Sequence, residues 1–424
     1  MSAIISTVDA WPMVDMVFSQ PCFRAEPRPL TVLCITTYEK GQEFMRECKR
    51  AGCRVILVTA EKLRDADWPR ESLDETFYLP ADLPLADIVH AVTHLARTHK
   101  LDRIVALDEY DMETASTLRE HLRVPGMGLT TMRYFRDKLA MRMKALAREV
   151  RVPDFVPVVN HDDIRYYLEH VPGPWVLKPR QEASAIGIKK INAAEELWPV
   201  LEQLGDKQSS FLLEKFLPGE VFHLDSVVSE SAVVFANVSK YGQPPMNVAQ
   251  RGGVFTTYTV PRGSEVDSGL REINRDLIAA LGLVRGVAHA EFIRAHADGH
   301  FYFLERAARV GGAYINEMIE AATGLNLWRE WARIEVAGGN GSYRLPPLRE
   351  EYAGVILSLA RQEEPDTSAY NDPEVFLRIK KHHHAGLILR SPDPQRVQTL
   401  LESYSRCFAA DFLAVEPPRD KPTA

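Results

Sequence analysis

Two carboxylates and one arginine, closely spaced within apolar stretches, are the residues of this chain with the clearest chemical meaning. Glu291 follows His289-Ala, and Glu305 ends the stretch that starts at Phe301, with Arg309 four residues further on. Each stretch predicts a buried β-strand, which tolerates a Glu only if something neutralises it. Two such carboxylates could hold a divalent metal ion on phosphate oxygens, while Arg309 stabilises a developing negative charge. The alternative is a pair of structural salt bridges, and the cost of an unpaired buried carboxylate favours the functional interpretation.

The composition restricts the class of protein. With 424 residues, 46% of them hydrophobic and 26% charged, the chain is expected to form two or three globular domains. A net charge of −7 argues against nucleic acid and anionic membranes as partners. No apolar run reaches membrane-spanning length, and the N-terminus lacks the basic region of a signal peptide. Five scattered cysteines suit a reducing compartment, so we expect a soluble, cytoplasmic protein.

The first third of the chain alternates between strand and helix patterns. Residues 1–29 are rich in proline and predict an irregular extension. The elements predicted next are, in order, strand Leu30–Thr36, helix Glu39–Arg50, strand Arg54–Thr59, helix Leu85–His99 and strand Arg103–Leu107. This alternation predicts a doubly wound parallel sheet. No GxGxxG follows the first strand, which argues against a dinucleotide site and hence against a dehydrogenase.

Three further segments carry charge at positions that suit ligand binding. Asp108-Glu109 follows the strand ending at Leu107, where such sheets bind ligands, although a solvated acidic turn explains it equally well. Thr131–Arg148 predicts a single basic amphipathic helix, which contains Asp137-Lys138. Trp175–Pro179 predicts a strand that contains Lys178. Taken alone, a lysine before proline is often an edge-strand residue with its charge in water.

Taken one at a time, the segments after Pro179 do not identify a single function. Ser184 and Gly187 belong to a small-residue loop whose backbone amides could hold phosphates. Phe211–Glu220 predicts a strand and a turn whose backbone could face a purine, with Glu220 accepting ribose hydroxyls. Residues 240–253 predict a loop that either lines a carboxylate pocket or is plain surface. After Gly311-Gly312, the predicted helix Ile315–Ala322 could bind an anion at its start.

Near the C-terminus, Lys380–His384 contains three adjacent histidines. On a strand, His382 and His384 would share one face, because neighbouring side chains point to opposite faces. Adjacent histidines make a poor metal site there, and a titrating surface cluster is the simpler interpretation. Their role stays open.

Together, the ordered motifs from Asp137-Lys138 to Arg309 resemble the ATP-grasp superfamily, most closely its biotin-carboxylase-like and L-amino-acid-ligase branches, over residues 30–345. The resemblance implies an α/β and α+β multidomain fold in which ATP is clamped between two sheets. The implied domains are the extension 1–29, an α/β pre-ATP-grasp domain 30–130, an ATP-grasp domain 131–345 and a C-terminal subdomain 346–424 that completes its large half. Within 131–345, residues 155–215 would form a mobile lid, and residues 285–312 the metal and catalytic strands.

The resemblance also assigns roles to single residues. Lys138 and Lys178 resemble the two lysines that contact ATP phosphates, and Arg309 resembles the arginine that stabilises the acyl phosphate. Glu291 and Glu305 resemble the ligands of Mg²⁺, with Mn²⁺ as the alternative ion. The other implied ATP contacts are the lid loop with Ser184 and Gly187, the adenine hinge with Glu214 and Phe216, the ribose ligand Glu220, and Leu304 on the purine face.

One position departs from the family pattern. The usual motif after the second metal ligand is Glu-x-Asn-x-Arg, and here Ala307 occupies the Asn position. A methyl group cannot bind Mg²⁺, so a second metal ion would lose a ligand. Because the lysines, both glutamates and Arg309 are present, an active site is favoured over one that binds nucleotide without turnover.

The resemblance implies an ATP-dependent carboxylate–amine ligase that forms an acyl phosphate and then an amide or dipeptide. Its expected partners are small-molecule carboxylates and amines, with amino acids as the first candidates. The expected assembly includes the option of a homodimer. Two alternatives remain. One is a biotin-carboxylase-like enzyme acting on bicarbonate, disfavoured by the glycine-poor lid loop, and the other is a non-catalytic nucleotide-binding module.

Overall fold

The computed structural model describes residues 28–183, 186–338 and 342–415 of the chain. Nearly all of the predicted irregular extension, together with Ser184, therefore lies outside the described residues. Within them, the strands form three sheets of four, four and eight strands. None of the described helices is long and apolar enough to cross a membrane.

The N-terminal sheet is parallel, as predicted. Its strands are β1 (Thr31–Thr36), β2 (Arg54–Ala60), β3 (Glu75–Leu79) and β4 (Arg103–Ala106), in the order β3-β2-β1-β4. The helices of this region are α1 (Gln42–Arg50), α2 (Leu85–Leu95) and α3 (Met112–Leu122). Leu33 packs in the core that contains α2 and α3, while Val32 packs in the core that contains α1. Because adjacent residues of β1 face opposite sides, the sheet is covered on both faces, which is the doubly wound arrangement.

The single helix predicted over Thr131–Arg148 is wrong, because the chain breaks at Asp137. A short helix α4 (Leu129–Met132) and a 3₁₀ turn precede α5 (Lys138–Leu146). The Asp137 carboxylate accepts a hydrogen bond from the backbone amide of Leu139 at 3.0 Å, which caps α5. Arg180 donates to the same carboxylate from Nε at 2.9 Å. The cap places Lys138 at the first position of α5.

A small antiparallel sheet follows. Its strands are β5 (Phe155–Pro157), β6 (Trp175–Pro179), β7 (Lys189–Ile191) and β8 (Phe211–Lys215), in the order β5-β8-β6-β7. Helices α6 (His161–His170) and α7 (Ala194–Leu204) belong to the same unit. One face is apolar, since Leu177 of β6 and Leu213 of β8 share a core with Ile164 of α6 and Leu197 of α7. The opposite face of β6 and β8 is left to line a cavity.

The large sheet has eight antiparallel strands and is built from two separate stretches of the chain. In the order β13-β12-β9-β10-β11-β14-β16-β15, its strands are β9 (Gly219–Ser229), β10 (Ala232–Tyr241), β11 (Phe255–Thr259), β12 (Gly286–Ala295), β13 (Phe301–Ala307), β14 (Tyr352–Leu359), β15 (Val375–Lys381) and β16 (His384–Ser391). The remaining helices are α8 (Pro245–Arg251), α9 (Glu265–Leu281), α10 (Ile315–Thr323), α11 (Leu327–Ala337) and α12 (Pro394–Asp411). Strand β14 pairs with β11, so residues after 346 extend the sheet that β9–β13 begin.

Two sequence-based expectations in this region are wrong. Residues 240–253 are not a plain loop, because Pro244 and Pro245 start helix α8 within them. His382 and His384 do not share a strand face, because His382 and His383 form the turn between β15 and β16. His383 adopts a positive φ of 54°, which suits a tight turn.

Ion pairs and an aromatic contact join helix α1, beside the parallel sheet, to helix α11. Glu43 and Glu47 of α1 accept hydrogen bonds from Arg329 and Arg333 of α11, each at 2.7 Å. Beside them, Phe44 packs edge-on against Trp331 with ring centroids 5.3 Å apart. The parallel sheet is therefore held in a defined place relative to the large sheet.

We predict that Asp137→Ala lowers stability by removing both the cap of α5 and the partner of Arg180. Loss of a helix cap costs about 1–2 kcal/mol, so the midpoint of thermal unfolding should fall by several degrees. Asp162→Ala is the matched control, because its carboxylate is exposed and forms a surface ion pair with Arg165, three residues further along α6. Calorimetry checks both variants, and an equal effect of the two would contradict the capping role of Asp137.

Candidate active site

A cavity of about 620 Å³ lies between the small and the large sheet. Most of the sequence-predicted residues line it: Lys138, Lys178, Glu214, Phe216, Glu291, Leu304, Glu305 and Arg309. These side chains come from the start of α5, from β6 and β8, and from β12 and β13 with the residues after it. The fold therefore brings together charges that are up to 171 positions apart in the chain, from Lys138 to Arg309.

Three of the predicted ATP contacts are not among the described residues that line the cavity. Ser184 lies outside the described residues. Gly187, with a φ of 69°, lies beside Pro179 but is not among the residues described as lining the cavity. Glu220 is the neighbour of the lining residue Val221 on β9, so its side chain points to the opposite face of the sheet. There it forms an ion pair with Lys240. The ribose role of Glu220 stays a prediction that this geometry does not favour.

Glu291 and Glu305 face each other across two neighbouring strands. They are direct cross-strand partners in the β12–β13 register, so both side chains are on the cavity face. Glu291 accepts a hydrogen bond from Tyr241 Oη at 2.7 Å, and Glu305 lies 2.8 Å from Lys138 Nζ. Two adjacent carboxylates repel each other unless positive charge stands between or beside them. Carboxylate oxygens are the ligands that Mg²⁺ and Mn²⁺ prefer, so this donor set fits such an ion.

Glu214 is the fully buried centre of a three-residue ion cluster. Arg142 Nη2 lies 3.0 Å from its carboxylate, and Lys178 Nζ contacts the other oxygen. Burial opposes ionisation, but the two cations lower the pKa of Glu214 below its usual value. The sequence analysis missed Arg142, although its position one turn after Lys138 on α5 places it on the same helix face. Glu214 therefore holds Lys178 at the cavity wall.

Arg309 is held by the carboxylate of Glu109, which follows β4 of the parallel sheet. Its Nε and Nη2 both contact Glu109 Oε1, the former at 2.8 Å, and Arg136 lies 3.4 Å from Glu109 Oε2. Burial opposes the charge of Glu109, yet Arg309 and Arg136 together lower its pKa to about 2. The interpretation of Asp108-Glu109 as a solvated acidic turn is wrong, because both residues are buried. The parallel sheet thus contributes Glu109 to this site.

A buried His–Asp–His cluster lies beside Glu291. Asp225 accepts hydrogen bonds from His223 Nδ1 at 2.7 Å and from His289 Nδ1 at 2.9 Å. His289 Nε2 lies 3.7 Å from Glu291 Oε1. Burial by itself lowers the pKa of His289. The charge and hydrogen bond of Asp225 act in the opposite direction, and the pKa is raised to about 9. The sequence analysis gave this cluster no role, although His223-Leu-Asp225 has the alternation that puts both polar groups on one strand face.

The uncharged part of the cavity is mainly apolar. Near the small sheet it is lined by Val176, Ile186, Ile188, Phe216 and Leu217. On the large sheet, Leu304 of β13 lines the same space. A second apolar wall consists of Phe255 of β11 and Pro244, Pro245, Met246 and Val248 in and before α8. The cavity therefore offers apolar surface from both sheets and from α8 in addition to its charged groups.

Comparison with known proteins gives an ATP-grasp domain match and relatives named as ligases. A protein-family profile described as an ATP-grasp domain matches residues 171–317. The L-arginine-specific L-amino acid ligase of Bacillus subtilis is 28% identical over 253 residues, which cover 58% of this chain and 59% of that ligase. The D-alanine–D-alanine ligase of Cupriavidus pinatubonensis is 24% identical over 222 residues, half of this chain and 67% of that enzyme. The chain thus spans about three fifths to two thirds of the length of these relatives.

Comparison with solved structures shows a similar fold over nearly the whole chain. The L-amino acid ligase from Bacillus licheniformis superposes with a TM-score of 0.72 at 18% identity, covering 92% of this chain and 99% of that one. An N5-carboxyaminoimidazole synthetase from Staphylococcus aureus gives 0.69 at 17% identity, covering 89% and 98%. Residues 171–317 therefore match an ATP-grasp domain, and the chain is similar in sequence to carboxylate–amine ligases and in fold to an L-amino acid ligase.

Proposed function

We propose that this protein is an ATP-dependent ligase that activates a carboxylate as an acyl phosphate and joins it to an amine. The observation that carries the proposal is the convergence of Lys138, Lys178, Glu291, Glu305 and Arg309 on one cavity between two sheets. Three cations and two carboxylates in one cleft suit a nucleoside triphosphate, a divalent ion and a second anion. The names of the sequence relatives support the same chemistry.

The proposed reaction has two bond exchanges. A carboxylate oxygen of the substrate attacks the γ-phosphorus of ATP, and the bond to the β–γ bridging oxygen breaks, which releases ADP. The amine nitrogen then attacks the acyl carbon, phosphate leaves with the carbon–oxygen bonding electrons, and the nitrogen loses a proton. Little covalent chemistry falls to the protein, so catalysis rests on placing anions together and offsetting their charge.

Each charged residue of the cavity has a separate role in this reaction, which follows from its position. Lys138 and Lys178 offset negative charge on the phosphates, each held beside a carboxylate that keeps it in place. Glu109 holds the Nε edge of the Arg309 guanidinium, and the remaining N–H groups of the two Nη atoms suit a carboxylate or the oxyanion of the tetrahedral intermediate. A divalent ion held by Glu291 and Glu305 would supply further positive charge at the transferred phosphoryl group.

We propose further that the substrates are amino acids, at least one of them with an apolar side chain. The amino-acid ligases among the relatives support the first part. The second part rests on the apolar lining residues Phe255, Pro244, Met246 and Val248, which come from β11 and from α8 and its start rather than from the small sheet. Residues 244–248 contain no charge. An apolar side chain gains about 25 cal/mol per Å² buried there, whereas a charged one loses hydration without a partner.

We predict that Arg309→Ala lowers kcat by about 10²–10³-fold while ATP still binds, because the oxyanion loses a fixed donor. ADP release would be measured with amino acids singly and in pairs, with amide products identified by mass spectrometry. Arg165→Ala, on the exposed face of α6, is the control. ADP release with bicarbonate and biotin alone would contradict the ligase and support a carboxylase. ATP binding without turnover on any substrate would support a nucleotide-binding module instead.

We predict that Met246→Asp shifts substrate preference away from apolar amino acids. The new carboxylate would cost about 1–3 kcal/mol against an apolar side chain, so kcat/KM should fall about 10–100-fold for leucine or phenylalanine. Lysine and arginine should lose less or gain. Met143→Asp is the matched control, because Met143 is 60% exposed on α5 and is not among the lining residues. Equal loss for apolar and cationic substrates would contradict the proposed wall.

A further inference from the structure

A second cavity, of about 270 Å³, lies at the junction of the parallel sheet, the large sheet and α11. Its lining comes from β4 and α3, from residues 125–128, from residues 282–287 around the start of β12, and from α11. None of the described residues lines both this cavity and the active-site cavity. Its volume is near the lower end of the range for small-molecule sites, which suits a ligand the size of one amino acid.

Arg119 of α3 brings a fixed positive charge to this cavity. Its Nε donates to the backbone carbonyl of Ile104 at 2.7 Å, and its Nη1 donates to that of Met127 at 3.1 Å. Nη2 donates to no group in the described part of the chain. Burial lowers the pKa of Arg119 below its usual value, because the charge of Glu335 only partly offsets the lost hydration. The guanidinium is therefore held in place by backbone groups and keeps N–H donors for an anion.

Glu335 of α11 brings the opposite charge to the same cavity. Its Oε1 accepts a hydrogen bond from Trp331 Nε1 at 3.2 Å, and its Oε2 lies 3.9 Å from Arg103 Nε. A carboxylate can accept about four hydrogen bonds, so Glu335 keeps capacity for a further donor. Its charge acts on Arg119, although no hydrogen bond joins these two side chains in the described structure. The separated pair suits a ligand that carries both a carboxylate and an ammonium group.

Much of the remaining lining is apolar. It includes Met112 of α3, Leu283 before β12, Val287 of β12 and Trp331 of α11. The other cation of the lining, Arg285, already pairs with the carboxylate of Glu230 at 2.5 Å. An apolar side chain placed in this cavity would remove apolar surface from water, which favours its binding.

We propose that this cavity is a second amino-acid site, in which Arg119 binds the carboxylate, Glu335 binds the ammonium group and the apolar lining takes the side chain. The inference goes beyond the proposed ligase reaction, because it concerns a cavity that does not share its lining with the active site. Binding at this site requires neither ATP nor turnover.

The second site is close to the Arg309–Glu109 ion pair of the active site. Ala308 lines the second cavity and directly precedes Arg309. Met112 also lines it and lies three residues after Glu109. A bound amino acid would therefore lie against both segments of the chain that carry this ion pair.

The deciding experiment is ¹⁹F NMR of the full chain labelled with 5-fluorotryptophan, because Trp331 lines the cavity and donates to Glu335. Loss of one line in Trp331→Phe assigns the signal. The ligands are L-leucine, L-leucinamide and 4-methylpentanoate, which share a side chain, while the second lacks the carboxylate and the third the ammonium group. We expect L-leucine to shift the Trp331 line and the other two to bind about 10–100-fold more weakly, since each loses one charge-assisted contact.

Two variants test the site itself. Arg119→Gln should weaken L-leucine about 10–100-fold at the Trp331 line. Arg275→Gln is the matched control, because Arg275 is exposed on α9. If Arg119→Gln fails to fold, as seen by circular dichroism, Val284→Phe replaces it. Val284 lines the cavity but is 48% exposed, so a larger side chain there narrows the cavity without disturbing the core, and L-leucine should again bind more weakly.

Three results would overturn the proposal. The first is a Trp331 line that none of the three ligands shifts at about 10 mM, and the second is a leucine shift that persists unchanged in the folded variants. The third is equal binding of 4-methylpentanoate, which would remove Glu335 from the site and leave no preference for amino acids. Since these shifts are measured without ATP, a failure of the ligase proposal would be seen separately, in the assay of ADP release.

Discussion

The neutralisation of buried negative charge is the constraint on which the rest of this structure depends. Glu109, Glu214 and Asp225 lie where water cannot solvate them, and each is matched by a cation or imidazole from another part of the chain. Arg142 shows the structural effect, because it binds Glu214 of β8 and the backbone carbonyl of Leu304 in β13. One guanidinium thus connects helix α5 to both sheets that enclose the cavity. Removing a partner would leave an uncompensated charge rather than a mere gap.

The sequence could predict those parts of the site whose residues share one local pattern. Glu291 and Glu305 each stand in a short apolar stretch, and two such stretches separated by a turn imply paired strands with both carboxylates on one face. The parallel sheet followed from alternating elements, except for β3, whose half-exposed Glu75–Leu79 lacks the apolar run of a central strand.

The break at Asp137 was missed because the helical pattern of residues 131–148 runs through it. Only the capping carboxylate and Arg180 decide where α5 starts.

The long-range partners could not be predicted, because no local pattern encodes them. Arg309 and Glu109 are 200 positions apart, and Arg142 and Glu214 are 72 apart. Nothing near Glu109 in sequence distinguishes a solvated turn from a buried ion pair; the approach of β13 decides it. The placement is possible because α1 packs on α11 through two ion pairs and an aromatic contact. The packing of the parallel sheet beside α11 is therefore what lets Glu109, which follows β4, reach the cleft.

The two-part origin of the large sheet has a consequence for synthesis on the ribosome. Strand β11 ends at Thr259, but its neighbour β14 starts only at Tyr352. At about 5–20 residues per second, translation leaves the outer edge of β11 without its partner for on the order of 5–20 s. An unpaired strand edge invites pairing with another nascent chain. Three threonines among the five residues of β11 make that edge less apolar. The newborn chain thus carries a threonine-rich strand at an edge that waits 93 residues for its partner.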